Sequence, residues 1–296
     1  MQALKGSLVA LVTPLSESGE VDYPALQNLL DWHVEQGTNG IVSVGTTGES
    51  ATLNPKEHIE VVEFTVKHIN KRIPVIAGTG ANSTDEAIEL SEESRLKGAD
   101  YALLVTPYYN KPNQNGLIAH YEKIADKVQI KQILYNVPTR TACDLLPSSV
   151  EILSSHSNIV GIKEAVDKKE RIKQLIDISE NANDIFYVFS GDDPTFMQSL
   201  KIGADGVISV AANVIPKSIS DICKFIRTKN DHAADSLNGL NEDLYKLLFV
   251  ESNPIPVKWM LYKMGLIKQS IRLPLIDLNE TFHDEVMSEL NKHKLI

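Results

Sequence analysis

Eight short runs rich in β-branched and aromatic residues recur along this sequence. Each is followed by a polar turn and a longer amphipathic stretch. The runs are Ser7–Val12, Gly40–Val44, Pro74–Ala77, Tyr101–Val105, Ile133–Asn136, Ile159–Lys163, Phe186–Phe189 and Gly206–Val210. Short apolar runs bounded by polar clusters read as buried strands. Between them lie helical patterns such as Tyr23–Gln36, Pro55–Asn70, Thr84–Lys97 and Lys169–Ser179, with Gly37, Gly98 and Gly203 where helix C-caps belong. Eight such units closing on themselves make an α/β fold, the (β/α)8 TIM barrel. An open doubly wound sheet is the main rival, but it usually has fewer strands and a Gly-rich first turn. The first run here ends in Thr13-Pro14 instead.

After the eighth run only helical patterns follow: Ala211–Lys229, Ala233–Val250, Ile255–Met264 and Glu280–Lys292. The reading is a barrel over residues 1–224 and a C-terminal helical extension over 225–296, with no separate linker. A chain of 296 residues suffices for that. The net charge of −10 argues against a nucleic-acid surface or an anionic membrane as partner. Met1 to Pro14 does not suit a signal peptide, and no apolar stretch approaches the ~20 residues of a membrane helix. Cys143 and Cys223 give neither a disulfide framework nor a metal spacing, so a cytoplasmic setting is expected. The scattered histidines suggest no metal site, and a Gly-x-Ser-x-Gly elbow is lacking.

One lysine stands out. Lys163 ends the apolar run Ile159-Val160-Gly161-Ile162, followed by Glu164. A lysine at the end of a buried strand must find a partner or surrender its proton. The structural alternative is an ion pair with Glu164. The chemical one is a neutral amine, a nucleophile towards carbonyls. Barrel active sites lie at the C-terminal ends of the strands. Those ends carry Thr46-Thr47, Tyr108-Tyr109, Tyr135, Arg140, Lys163, Gly191 and Asp192-Asp193, so hydroxyls, phenols, an arginine and a lysine converge on one rim.

The turn Gly45–Ser50 offers hydroxyls and backbone N–H groups that suit a carboxylate or phosphate. Tyr135 is either packing or a proton relay. Arg140 is either an exposed loop arginine or a two-pronged carboxylate grip. Gly78–Ser83 resembles the start of a dinucleotide fingerprint, but Ser83 replaces the third glycine, so nucleotide binding is rejected. Lys258, in Pro256-Val257-Lys258-Trp259, reads as packing or as a snorkelling side chain.

Gly45-Thr46-Thr47-Gly48-Glu49-Ser50, Tyr135-Asn136-Val137-Pro138 and Gly161-Ile162-Lys163-Glu164 together resemble the pyruvate-dependent class I aldolases of the dihydrodipicolinate synthase / N-acetylneuraminate lyase superfamily. The resemblance runs from Lys5 through the barrel and fades in the helical tail. It implies that Lys163 captures pyruvate as an imine, without metal or organic cofactor. It implies a proton relay of Tyr135, Thr46 and a Tyr109 supplied by a neighbouring subunit. Thr47 is implied to hold the pyruvate carboxylate, and Gly191 and Ile208 to face the substrates through their backbone.

Arg140 matches the arginine that binds aspartate semialdehyde, which favours a synthase of lysine (diaminopimelate) biosynthesis. Sialic acid lyases and keto-sugar-acid aldolases are the nearest alternative, and a non-catalytic acid-sensing barrel the remote one. The resemblance further implies a homotetramer (a dimer of dimers). It also implies lysine as effector at Ser50, Ala51, His58, Asn82, Glu86 and Tyr108. Two departures stand out: Pro55, where lysine-sensitive members often carry histidine, and Ala142, where the family usually has glycine. Alanine resists backbone angles that glycine permits, which bears on the Arg140 loop.

Overall fold

The computed structural model describes residues 4–296; Met1, Gln2 and Ala3, inside the expected barrel range, lie outside the described residues. Eight strands follow one another around a closed, all-parallel barrel. They are β1 (Gly6–Ala10), β2 (Gly40–Ser43), β3 (Val75–Gly78), β4 (Tyr101–Val105), β5 (Lys131–Asn136), β6 (Ile159–Glu164), β7 (Tyr187–Ser190) and β8 (Gly206–Ser209). β8 closes onto β1 with Leu8 opposite Ile208. Each expected run is a strand, displaced by a residue or two at its ends.

The outer layer comprises α1 (Tyr23–Glu35), α2 (Pro55–Ile69), α3 (Thr84–Leu96), α4 (Gln114–Lys127), the single turn α5 (Pro138–Thr141), α6 (Pro147–Leu153), α7 (Lys169–Asn181), α8 (Phe196–Lys201) and α9 (Pro216–Arg227). Sequence and geometry agree at the caps. Asn54 caps α2 through a reciprocal capping box with Glu57, and Asn113 caps α4 through the Gly116 N–H. Gly37, Gly98 and Gly203 adopt φ of +83°, +92° and +120°, the left-handed angles of a helix C-terminus. Pro216 sits in the first turn of α9, so the expected helix Ala211–Lys229 divides into a 3-10 turn at Ala211–Asn213 and α9. The extension then adds α10 (Asp231–Leu247), α11 (Ile255–Lys263) and α12 (His283–Lys292). The expected boundary at 224/225 falls inside α9, which packs against β1.

Two apolar layers hold the barrel. Inward side chains such as Leu8, Val42, Ile76, Leu103, Ile133 and Phe189 fill its axis. A larger cluster joins the outward faces of the strands to the helices and continues into Leu244, Met260 and Val286 of the extension. No helix among the described residues is long and apolar enough to cross a membrane.

Ala142 is the C-cap of α5 at φ 55°, ψ 25°. A left-handed L-residue costs roughly 1–2 kcal/mol, and glycine's extra unfolded-state freedom offsets part of that. Ala142→Gly is therefore expected to stabilise the chain by about 1 kcal/mol, a rise of ~2 °C in the thermal midpoint. A lower midpoint would mean that the left-handed turn is not strained.

Candidate active site

Lys163 is the penultimate residue of β6, with only 5% of its surface exposed. Its neighbour in the β5–β6 register is Tyr135, and the ammonium nitrogen lies 4.3 Å from the centre of the Tyr135 ring. Glu164 is not its partner. That carboxylate turns to the other face of the strand, where Arg171 and Asn136 bind it. Of the two sequence readings, the ion pair is the one the structure removes.

A cavity of about 570 Å³ opens above Lys163 at the C-terminal ends of the strands. Its lining includes Gly45, Thr46, Thr47, Tyr135, Arg140, Gly191 and Asn253. Gly191 faces the lysine arm so closely that a Cβ there would stand 2.8 Å from Lys163 Cε. Only glycine leaves that arm its place.

Across the cavity, the Thr46-Thr47 turn leaves β2 through Val44, a β-branched residue held at φ 55°. Such an angle is strained, and strain of this kind persists where the surroundings over-determine it. Two glycines do so: a Cβ on Gly78 would meet Val44 O at 2.4 Å, and one on Gly48 would meet Val44 Cα at 3.0 Å. Gly48, Glu49 and Ser50 donate their backbone N–H groups back into the turn. No backbone acceptor among the described residues takes those of Thr46 and Thr47. A turn with two such amides and two hydroxyl side chains, both residues lining the cavity, suits a carboxylate.

Arg140 rides on α5 at the rim, exposed, with Nη2 donating to Asn253 O at 3.3 Å. Asn253 is buried and lacks any sequence signal of its own. Its Nδ2 donates to Thr47 Oγ1 at 3.0 Å, so one residue from the extension touches both expected carboxylate binders. Ile208 lies in the inner barrel packing, and Val210 reaches the cavity instead. Tyr109 stands apart: it is 90% exposed, at φ 74°, and does not line the cavity.

Lys258 overturns its sequence reading. Neither apolar packing nor a snorkelling head describes it, because its ammonium is buried and paired with Glu49, with Thr13 O as a second acceptor. Arg272 N donates to the other Glu49 oxygen at 3.1 Å, and its guanidinium grips Glu57 and the carbonyls of Gly19 and Thr52. Burial pulls the Lys258 pKa down and the Glu49 carboxylate opposes that pull. These contacts fasten the extension to the turn that carries Thr46 and Thr47.

The residues matched to an effector site lie on a neighbouring surface. Asn82 Nδ2 donates to Tyr108 O at 3.3 Å, and Asn110 Nδ2 to Asn82 O at 2.8 Å. Burial, and then the nearby Glu86, push the Tyr108 phenol up. Pro55 and Glu86 share a groove of about 420 Å³ between α2 and α3. His58 faces inward, bonded to Gly78 O at 2.8 Å and pushed down to about 4 by burial. Ser50 is half-buried and Ala51 exposed where the Thr46-Thr47 turn ends.

Behind the site, Glu164 is pushed up to about 7 by burial against the opposing pull of Val166 N, Asn136 and Arg171. It binds its proton more tightly folded than unfolded. The resulting stabilisation is complete below the ordinary glutamate value of 4.5 and is lost as the pH rises to about 7. Urea midpoints of Glu164→Gln are therefore expected to fall less steeply than wild type between those values; parallel curves would contradict the assignment.

A buried amine at a strand end, a phenol against it and a hydroxyl-bearing turn across the cavity define a class of protein, the barrels equipped to capture a carbonyl compound. The comparisons with known proteins narrow the class. A family model described as the dihydrodipicolinate synthetase family matches residues 3–293, and the chain belongs to that family. A 4-hydroxy-tetrahydrodipicolinate synthase of Psychrobacter sp. is 53% identical over 293 residues, 99% of this chain and 96% of that protein. The crystal structure of the chloride-inhibited dihydrodipicolinate synthase of Acinetobacter baumannii, complexed with pyruvate, is 50% identical. It superposes with a TM-score of 0.96, covering 99% of this chain and 100% of that one. The synthase of Cyanidioschyzon merolae with lysine bound is 34% identical with a TM-score of 0.94, covering 99% of both chains.

Proposed function

We propose that this chain condenses pyruvate with L-aspartate 4-semialdehyde to 4-hydroxy-tetrahydrodipicolinate, a step of lysine biosynthesis. The observation that carries the reading is Lys163: a buried amine with a phenol beside it, facing a cavity ringed by Thr46, Thr47 and Arg140.

The Lys163 amine adds to the pyruvate carbonyl, and loss of water leaves a protonated imine. That nitrogen is an electron sink, so the methyl group gives up a proton and becomes an enamine. Tyr135 carries protons for these steps together with Thr46, a reading supported by both lining the same cavity as Lys163. The amides and hydroxyl of the Thr46-Thr47 turn hold the ketoacid carboxylate. Arg140, steadied by Asn253 O, takes the carboxylate of the aldehyde substrate. The enamine carbon attacks the aldehyde, the aldehyde's own amine closes the ring onto the imine carbon, and Lys163 leaves.

Arg140 decides which aldehyde the enamine meets. Arg140→Ala is expected to lower kcat/KM for aspartate semialdehyde by about 100-fold, roughly 3 kcal/mol for a lost charge-assisted contact, while pyruvate capture persists. Turnover of sialic acid or keto-sugar acids exceeding that of aspartate semialdehyde in the wild type would favour the lyase reading instead.

Tyr109 completes the relay from a second copy of the chain. Its exposure and its pinned loop support that role, and with it a homotetramer built as a dimer of dimers. Sedimentation as a monomer at assay concentration, with full activity, would remove it. Lysine is the effector expected at the surface of Ser50, Ala51, His58, Asn82, Glu86 and Tyr108, where Glu86 can meet its ammonium group. Pro55 supplies no ring nitrogen beside Glu86, so inhibition should need millimolar lysine; unchanged activity there would show the site disabled. Two buried free thiols, Cys143 and Cys223, support a cytoplasmic setting.

A further inference from the structure

The two strands that carry Tyr135 and Lys163 are tied together on the side away from the cavity. Tyr135 is opposite Lys163 in the β5–β6 register, and Asn136 is opposite Glu164 one residue on. Side chains alternate across a strand, so the second pair faces the helix layer. Asn136 Nδ2 donates to the two Glu164 oxygens at 3.0 and 3.1 Å and to Asp144 Oδ1 at 2.8 Å. Its Oδ1 accepts from Leu145 N at 2.9 Å. Glu164 Oε1 also accepts from Val166 N at 2.9 Å. Arg171 of α7 reaches Glu164 at 3.3 Å and holds Asp144 through both terminal nitrogens, at 3.0 and 2.8 Å.

Resting on the reading of Tyr135 and Lys163 as the acting pair, we propose that Asn136 and Glu164 are positioning residues. Their mutual hydrogen bonds hold the Tyr135 phenol against the Lys163 amine. Through Asp144 and Leu145 they also fix the chain that returns from the Arg140 turn. β5 and β6 both end at this pair. Past it the main chain adds only Ala165 N to Asn136 O at 3.0 Å and Gly191 N to Glu164 O at 2.7 Å. The side-chain tether therefore sits where the ladder stops restraining the strand ends.

A cluster serving packing alone would be cheaper as hydrocarbon, because burying an acid carries a desolvation cost that Arg171 only partly offsets. The charged groups facing Glu164 are Arg171 from α7 and Asp144 from the loop after α5. Burial brings the Glu164 proton equilibrium to about 7. Val166 N, Asn136 Nδ2 and Arg171 Nη1 all donate to its two oxygens, so protonation near neutral pH weakens the tether.

The test uses Asn136→Asp, Glu164→Gln and the exchanged pair carrying both. In the pair, amide and acid trade places, so a donor still faces an acceptor across β5 and β6, while the acid at position 136 loses the bond to Asp144. Two readouts are needed: borohydride trapping of pyruvate on Lys163, and deuterium exchange into the pyruvate methyl group, which needs the proton relay. Trapping at saturating pyruvate should survive in all variants. Exchange and kcat should fall about tenfold or more in Asn136→Asp and recover in part, by about threefold or more, in the exchanged pair, where the cross-strand bond returns but the bond to Asp144 does not. Glu164→Gln should flatten the pH profile of exchange near neutrality.

Wild-type exchange rates in both single variants, with only the unfolding midpoint altered, would overturn the proposal and leave a structural cluster. If Asn136→Asp fails to fold, the near-isosteric Glu164→Gln decides alone: an unchanged rate and pH profile overturns it. Failure of the wild type to trap pyruvate would instead strike the functional reading, and this proposal with it.

Discussion

Replacing Lys163 with alanine is expected to lower kcat by on the order of 10⁴ or more, because the covalent route through the imine closes entirely. The fold should survive. Among the described residues Lys163 has no ion-pair partner that its removal would orphan, and the site it vacates opens onto the cavity rather than into the core. Circular dichroism and the thermal midpoint should stay near wild type while pyruvate consumption in the presence of the aldehyde disappears. Lys163→Arg should be equally inactive, since a guanidinium stays protonated and cannot add to a carbonyl. Substantial residual turnover in either variant would exclude Lys163 as the nucleophile.

The second large effect concerns stability. Lys258→Ala leaves the Glu49 carboxylate buried without its ammonium partner, and breaking a buried pair from one side costs about 3–5 kcal/mol. Glu49 adjoins the turn bearing Thr46 and Thr47, so KM for the ketoacid should rise as well. The double variant Lys258→Met with Glu49→Gln should recover most of the stability, because two neutral side chains of similar size carry no stranded charge. Denaturant unfolding of wild type, Lys258→Met, Glu49→Gln and the double variant forms a double-mutant cycle. Additive losses would mean that the pair contributes no coupling and that the extension is held by its apolar contacts alone.

Local signals were legible in the sequence because strand and helix periodicities and cap residues are local. Gly37, Gly98 and Gly203 stand at positive φ, and each expected run became a strand. Lys163, Tyr135, Thr46 and Thr47 could be placed on one rim because a closed barrel brings successive strand ends together. What escaped depends on contacts between distant segments. Asn253 meets Thr47 across 206 residues, and Lys258 meets Glu49 across 209. No spacing rule reaches that far, and a lysine in an apolar stretch reads the same whether it snorkels or finds a buried acid. Glu164 was visible as one of two readings of Lys163, and strand alternation decides between them by turning it away from Lys163 and towards Arg171. For Tyr109 the chain's own contacts add nothing to the sequence, since they leave it 90% exposed.

The central claim is that Lys163 forms an imine with pyruvate. Incubation with pyruvate and borohydride, followed by proteolysis and mass mapping, tests it most directly. The account predicts one reduced adduct, on the peptide containing Lys163, with activity lost in proportion to labelling. An adduct on another lysine, or none while the enzyme still turns over pyruvate, would contradict it.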